Sequence, residues 1–590
     1  MGMDRDQVVR ALREIATLLR LLGESEYRAR AYERGAKRLE QVQGDLAEWV
    51  KRGTLTDLPG IGSGLAAQIS ELVTTGRSSQ LDALRANLPP GILDLVKLPS
   101  FGPKKAVAVW QAIGAGDLDS LERACREQRL RTVKGFSAQS EAKLLEAIVA
   151  LRTAPPPPSR ALLGHALPLA RELAASLRER VTVERLELAG GLRRGQEELD
   201  DGVLVVASPR PQEVLDAAAR LPQVARLVER DERHVTLRLF EHDQILDVLA
   251  VPDVEFATAL LFATGSSAHV ERLRAIAEGR GLTLQPSGLF RGEARIDTPD
   301  EAAIYGALGL AFVPPELREN QGELEAAAEG RLPPLIEPEA IAGVVHSHST
   351  WSDGAATLEE MARAAMARGL RYLTVTEHSP TASYAGGVQL ERLQRLWDEI
   401  DALNERLDGF RLLKGAESDI LPDGSLDYPD AVLERLDLVI GSIHNRHKMD
   451  EDAMTRRILR ALEHPSLHIL GHATGRLLQR REPYQVRMDE VIAAAARHGV
   501  AIEVNGSPHR LDLEAGSVRT ALAAGVKLVC SADAHSVREL DNLDYAVITA
   551  RRGGARAEDV LNTLEADAFL AALRGLKLRS GRRTGAEDRA

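Results

Sequence analysis

From the start of the chain to about position 150, apolar residues recur at helical spacing in short stretches broken by glycine-containing turns. The opening segment MGMDRDQVVRALREI reads as a charged amphipathic helix and not as a signal peptide. Four consecutive prolines at 155–158 cannot be helical and form a semi-rigid spacer. Beyond them the pattern changes: RLELAGG, GVLVVAS, HVTLRLF and QILDVLAV are strand-like runs set among helical ones. A second boundary falls at the Pro/Glu-rich stretch RLPPLIEPEA, 331–340. After it, apolar strand-like runs alternate with helical patterns in the βα rhythm of a parallel barrel or sheet. The polar end, RSGRRTGAEDRA, is expected to fray.

A chain of 590 residues exceeds a single core, and about three to five domains are expected. Hydrophobic and charged fractions of 44% and 27% place it among globular proteins. No run approaches the roughly 18 apolar residues of a membrane span. Two cysteines, Cys125 and Cys530, lie far apart, which disfavours a disulfide framework and points to a reducing cytoplasm. The net charge of −12 excludes a wholly basic nucleic-acid coat. It leaves room for local DNA contacts through basic patches and backbone amides.

The chemistry concentrates at the ends of the C-terminal strand-like runs. IAGVV leads into His346 and His348, with Asp353 shortly after, and YLTVT into Glu377 and His378. RLLKGA ends in Glu417, LDLVIGSI in His444, LHILG in His472, and KLVCSA in Asp533 and His535. The carboxyl ends of barrel strands are where a βα barrel builds its active site. Residues at i and i+2 on an extended chain project from one face, which suits the HxH and DxH pairs. One histidine at a strand end is ordinarily capped or solvated; nine ligating residues repeating that position are not. His447, His464, His468, His498 and His509 lack the placement and read as surface or structural, with His509 the open case.

HSHSTWSDG, TEH, KGAES, GSIH, LGHATGRLL and SADAHS together resemble the polymerase-and-histidinol-phosphatase (PHP) domain across nearly all of 341–575. The resemblance implies a distorted seven-stranded barrel with three divalent transition-metal ions. His346, His348, Glu417 and Asp533 would hold one ion. Glu417 would bridge to a second held by His444 and His472, and Asp353, His378 and His535 would hold the third. Imidazole with carboxylate suits Mn²⁺, Zn²⁺ or Fe²⁺ better than Ca²⁺. Clustered metals acidify water and clamp the attacking and leaving oxygens of a phosphoester, so hydrolysis is the expected reaction.

Near the N-terminus, LPGIG (58–62) and LPSFG (98–102), the second followed by Lys104 and Lys105, each link two short helices. They resemble helix-hairpin-helix motifs, in which glycines such as Gly60, Gly62 and Gly102 let backbone N–H groups approach a DNA phosphate. Such contacts carry no sequence information. KGFSAQSEAKLLEAI (134–148) reads as a third, degenerate copy.

The intervening region resembles the palm and thumb of a family X DNA polymerase through GGLRRGQEELDDGVLVV, ILDVLAVP, ATGSSAH and GALGLAFVPPELREN. The whole order is then that of a bacterial family X polymerase of multidomain α+β and α/β class. The divisions are 1–90, a helical DNA-binding domain; 91–153, a second helix-hairpin-helix domain; 154–252, a nucleotidyltransferase palm; and 253–320, a thumb-like nucleotide-selection domain. A linker at 321–340, the PHP domain at 341–578 and the tail at 579–590 follow. Nucleotidyl transfer needs three carboxylates around two Mg²⁺ or Mn²⁺ ions and a dNTP. Asp201 and Asp247 fill two of these positions, but the second falls on Val203. Asp200 points to the opposite face, while Glu197 or Glu198 would need a rearranged loop. Gly190-Gly191 replaces Gly-Ser, Arg194 remains available for phosphate, and Gly265 and Ser266 keep the family's turn. Phe262-Ala263 and Val270 replace expected nucleotide contacts, and the Schiff-base lysine of lyase-competent relatives falls on Gln68.

These features imply a DNA-repair enzyme with a 3'-5' exonuclease or phosphoesterase in the PHP domain and a weakened or Mn²⁺-dependent polymerase. The alternatives are an active gap-filling polymerase, a non-catalytic repair scaffold, and a small-molecule phosphatase, against which the helix-hairpin-helix turns speak. The expected partner is gapped or broken duplex DNA, bound without sequence specificity by a cytoplasmic, nucleoid-associated monomer with no membrane contact.

Overall fold

The computed structural model describes residues 3, 5–41, 46–58, 60–96, 98, 101–153, 160–240 and 244–587. The proline tract 155–158 and Pro59, Pro99 and Ser100 of the glycine turns lie outside the described residues. The chain forms two compact units, one built on Met1–Pro158 and the other on Ser159–Ser352 with Ala356–Ala590.

The first unit is all-helical. Its opening helix, Arg5–Leu21, buries Val8, Leu12, Ile15 and Leu19 along one stripe, as the amphipathic pattern requires. The helices that follow are mostly too short to be stable alone. They pool their apolar faces in one cluster that includes Leu12, Ile15, Phe101, Val109, Leu121 and Ile148. The expected domain division at 90/91 is therefore not a break in packing.

In the second unit, a five-stranded sheet runs in the order Arg185–Gly190, Gly202–Ala207, Ile245–Val251, His234–Leu239, Val224–Arg230. Only the pair Gly202–Ala207 with Ile245–Val251 is parallel. Alternation assigns the faces. Leu204 and Val206 pack with helix Leu163–Arg178, while Val205 and Ala207 pack with Phe256 and Leu260 of helix Asp253–Thr264. A small three-stranded sheet and helices Ser267–Gly279 and Glu301–Ala307 follow around their own cluster.

Residues 321–340 are not the linker that their composition suggested. Helix Glu323–Ala328 buries Leu324 and Ala327 in that same cluster, and Ile336 is buried in the barrel core. Amphipathic burial overrides the Pro/Glu content.

Seven parallel strands then form a sheet in strict chain order from Gly343–Val344 to Leu528–Ser531. A parallel bridge between Ser347 and Ala534 ties the last strand's end to the first, so the sheet is nearly closed. Period two organises each strand. Leu373, Leu412, Val439, Ile502 and Leu528 face the outer helices. Tyr372, Leu413, Leu438, Ile440, Ile469, Ala501 and Val529 form a separate inner layer with Phe569, Leu570 and Leu573 of the last helix, Ala566–Glu587. That helix continues through most of the expected frayed tail. Extending a helix nucleated by its packed first turns costs little, which carries the polar segment along to Glu587.

Palm and barrel share packing. Leu511 of the barrel side is buried in the palm cluster, with Tyr545 and Ile548 packed against it. Gly195 sits at φ +68°, and a side chain there would begin 2.2 Å from Ile548 Cγ2. Phe569→Ala is expected to destabilise this unit by about 3–5 kcal/mol, since it empties a fully buried aromatic site. Urea titration of the full chain would show the midpoint falling, with palm and barrel unfolding in one transition.

Candidate metal centre

Each barrel strand starts apolar at its inner face and turns polar toward its carboxyl end. In the inward register Leu413 is followed by Gly415 and Glu417, Ala501 by Glu503 and Asn505, and Val529 by Ser531 and Asp533. The nine expected ligands thereby converge. Glu417, 1% exposed, is their hub. Its carboxylate lies 2.9 Å from His378 Nδ1 and His472 Nε2, 3.3 Å from His444 Nε2, 3.4 Å from His346 Nε2 and 3.6 Å from His348 Nε2. Asp533 Oδ1 stands 3.6 Å from His346 Nε2 and 3.5 Å from His348 Nε2.

Three groups have ligand atoms all within 4.8 Å of one another. They are His348, Asp353, His378 and His535; His346, His348 and Asp533; and His378, Glu417 and His444. His348 and His378 each serve two groups, Glu417 serves one and His472 joins none of the three, whereas the expected partition had Glu417 alone bridging two ions.

The donor set fits divalent cations. His346 Nε2, both ring nitrogens of His348 and Glu417 Oε2 are buried without a hydrogen-bond partner. Orphaned buried polar atoms are costly unless something coordinates them. Burial and the neighbouring His535 and His378 push His348 down to about 3, so it is neutral at physiological pH, the form that ligates. Burial works against ionised Glu417, yet His444, His346 and His378 outweigh it and hold the carboxyl well below its usual range. His472 and Asp533 carry positive φ of 22° and 48°, backbone conformations that cost non-glycine residues energy and cluster at functional sites.

Three acidic side chains absent from the expected set complete the frame. Glu503 Oε1 lies 2.6 Å from His346 Nδ1, and Glu503 also accepts from Ser531 Oγ and the His472 N–H, both at 2.5 Å. Asp419 Oδ1 lies 2.6 Å from His444 Nδ1. Each carboxylate turns the far nitrogen of its imidazole inward and fixes its tautomer. Glu377 joins no ligand group; it accepts from the Ser349 N–H at 3.0 Å and from the Ser349 and Ser352 hydroxyls, bracing the loop before Asp353. Strand parity was the available signal for Glu503, two residues before Asn505 on the inward register.

In the helical unit the glycine turns repeat one geometry. The N–H of Ile61 donates to the Leu58 carbonyl at 3.0 Å, Phe101 to Leu98 at 3.0 Å, and Phe136 to Val133 at 3.1 Å. Helices Ser63–Thr75, Pro103–Ile113 and Ala138–Thr153 start directly afterward. Gly60 adopts φ +92°, and a Cβ at Gly60, Gly62 or Gly102 would meet nothing within 4 Å. The turn backbone is therefore open to close approach. Lys104 and Lys105 are exposed beside the second turn. Gln68 accepts from Ser78 Oγ at 3.0 Å.

Comparison with known proteins matches four family models to this layout. They are a helix-hairpin-helix domain over residues 3–78, a SAM-like helix-hairpin-helix tandem over 92–149, the DNA polymerase beta thumb over 259–319 and the PHP domain over 345–507. The DNA polymerase/3'-5' exonuclease PolX of Bacillus subtilis is 36% identical over 574 residues, covering 96% of this chain and 99% of the relative. The chain belongs to the family X DNA polymerases with a C-terminal PHP domain. Probable phosphatases of Thermoanaerobacter sp. and Syntrophotalea carbinolica match at 29% and 30% identity, over 37% and 38% of this chain.

The palm of this family X chain differs from its metal centre. Asp201 accepts from the Gly191 N–H at 2.7 Å. Asp247 accepts from Thr236 Oγ1 at 2.7 Å, with His234 Nε2 at 3.1 Å. Val203 is the Cα partner of Asp247 on the parallel pair, an apolar group between two acidic ones. Other nearby acids are committed elsewhere. Asp200 accepts from Arg160 at 2.7 Å, Glu198 lies 3.8 Å from the same guanidinium, and Glu197 pairs with Arg476 at 2.9 Å. Side chains at Gly190 and Gly191 would collide with Asp201 and Gln196. Arg194, expected to be available for phosphate, is instead buried and donates to Glu319 at 3.2 Å and to the Thr264 carbonyl beside Gly265. Ser266 Oγ caps the next helix by accepting from the His269 N–H at 3.3 Å, and Val270 is buried. Among the described residues no helix is long and apolar enough to cross a membrane.

Glu503→Gln and Asp419→Asn are each expected to lower divalent-metal affinity by about 10–100-fold. Titration of the chelated full chain with Mn²⁺ or Zn²⁺ would measure it, with circular dichroism confirming an unchanged fold.

Proposed function

We propose that this chain trims DNA 3′ ends at the PHP centre during repair, with a weakened or Mn²⁺-dependent polymerase in its palm. The carrying observation is the contrast between the two sites. At the barrel mouth nine ligating side chains gather, Glu417 at their centre, with ring nitrogens left for cations. In the palm, Val203 stands where the second carboxylate is expected, and Glu197, Glu198 and Asp200 are held by arginines.

His346, His348, Asp353, His378, Glu417, His444, His472, Asp533 and His535 would hold up to three ions, Mn²⁺ or Zn²⁺ by donor type. Bound cations supply the charge that draws water onto a phosphoester and stabilises the departing oxygen. The protein holds His346 and His444 in one tautomer through Glu503 and Asp419 and closes the barrel beneath the site with its inner apolar layer. The relative's printed name, DNA polymerase/3'-5' exonuclease, supports the same pairing of activities and the 3′ polarity. The open glycine turns support DNA held through its backbone, with Gly60, Gly62, Gly102, Lys104 and Lys105 as the contacts. Gapped or broken duplex is the substrate this combination suits, acted on by a monomer in the cytoplasm.

Replacing both His346 and His348 with alanine is expected to abolish 3′-end shortening of a 5′-labelled gapped duplex while DNA binding persists. Shortening that survives the change overturns the site assignment. In primer extension, the wild-type chain should incorporate dNTPs poorly with Mg²⁺ and better with Mn²⁺. A key electrostatic group in an active site is worth roughly 10²–10³ in rate, so Val203→Asp should raise Mg²⁺-dependent incorporation. Robust Mg²⁺-dependent synthesis by the wild type would favour the gap-filling alternative.

A further inference from the structure

Arg481 lies in a tight loop that follows the ligand His472. Leu477 and Arg481 pair their backbones as an isolated antiparallel bridge, with Gln479 at φ +59° between them. The loop is thus rigid and projects the Arg481 side chain from a fixed base. The guanidinium is half-buried and donates Nε to the Gly475 carbonyl at 2.9 Å. Among the described residues no carboxylate pairs with it. Nearby arginines are different: Arg476 is paired with Glu197, Arg160 with Asp200, and Arg487 with Asp452 and Glu490.

Its surroundings are cationic. Burial first, and then the charge of Arg510, lower the Arg481 guanidinium to about 10. Arg510 is itself buried, its Nε 3.5 Å from Asp533 Oδ2. His447 is pushed down to about 3 by burial and by Arg481, His444, Arg510 and His472, so it adds no charge of its own. The Gly475 N–H in turn donates to the carbonyl of the ligand His472 at 2.9 Å, so the Arg481 guanidinium is tied to the turn that leaves the ligand cluster. Arg481 also lines a cavity of about 500 Å³ between palm and barrel, together with Arg160, Glu197 and Asp200, whose charges are mutually satisfied.

A half-buried guanidinium that has lost part of its water and has only a carbonyl as partner is stabilised by an anion. A guanidinium fork matches phosphate oxygens in a bidentate arrangement. We infer that Arg481 is an anion receptor beside the metal cluster that takes a phosphate of the DNA strand next to the scissile bond. The inference rests on the nuclease reading above and adds the subsite that distinguishes a nucleotide chain from a bare phosphoester.

Arg481→Gln in the full chain tests it. The KM for shortening a single-stranded oligonucleotide should rise about ten- to a hundredfold, the worth of a charge-assisted hydrogen bond, with a smaller change in kcat. The slope of log(kcat/KM) against log salt should flatten by about 0.7, one single-strand phosphate contact. Arg481→Lys, which keeps the charge without the fork, should fall between wild type and Gln with the wild-type slope; it also carries the test if the Gln variant does not fold. A KM within twofold of wild type and an unchanged slope would overturn the receptor. A second readout is independent of catalysis: dTMP should raise the melting temperature of the wild type and raise it less in Arg481→Gln. If the wild type shortens no DNA, the nuclease reading fails, and the dTMP shift alone judges the receptor. Equal shifts in both proteins would then reject it.

Discussion

A single buried carboxylate organises this molecule's chemistry. Glu417 faces five imidazoles at the centre of the barrel mouth, and neither it nor they could be buried unpaired without a large desolvation cost. The surrounding fold offsets that cost. An inner apolar layer capped by Phe569, Leu570 and Leu573 supplies burial below, and outer helices cover the strands on all sides. Glu503 and Asp419 then orient the rings, so the polar cluster is a fixed frame and not a set of mobile side chains. The positive φ at His472 and Asp533 shows backbone bent to serve that frame.

The palm shows the reverse trend. Its sheet is well packed on both faces, and polar side chains at its edge pair within the protein. Arg194 reaches Glu319 and Thr264. Glu197 reaches Arg476, whose guanidinium in turn binds the carbonyls of Arg510 and Leu511. Palm side chains thereby brace the loops around the metal centre, while Ile548 and Tyr545 of the barrel side pack on the palm core. The palm thus adds structural support to the neighbouring site.

Arginine placement separates structural from receptive charge. Arg318 and Arg476 are buried and each is paired with a carboxylate and a backbone carbonyl. Arg481 is held by one carbonyl and forms no ion pair with a carboxylate among the described residues. Such a guanidinium near a cluster of ligating imidazoles and carboxylates has a phosphate as its natural partner.

Much of this was legible in the residues. Period-two alternation and a ligand at the end of successive strands announced a parallel barrel and its mouth, because a two-residue repeat dictates which side chains share a face. The amphipathic first helix and the glycine turns were equally plain. Val203 at the expected second carboxylate was visible through the family resemblance, two residues after Asp201. Other features were decided only in three dimensions. Glu323–Ala328 became core despite its linker-like context because Leu324 and Ala327 found a cluster to enter. Arg194 turned inward because Glu319, 125 residues away, lies beside it. Glu503 and Asp419 gained roles from the imidazoles they touch, and Arg481 from the carboxylate it lacks. Local sequence sets periodicity and turn chemistry, whereas charge partners are long-range contacts that exist only once the chain has folded.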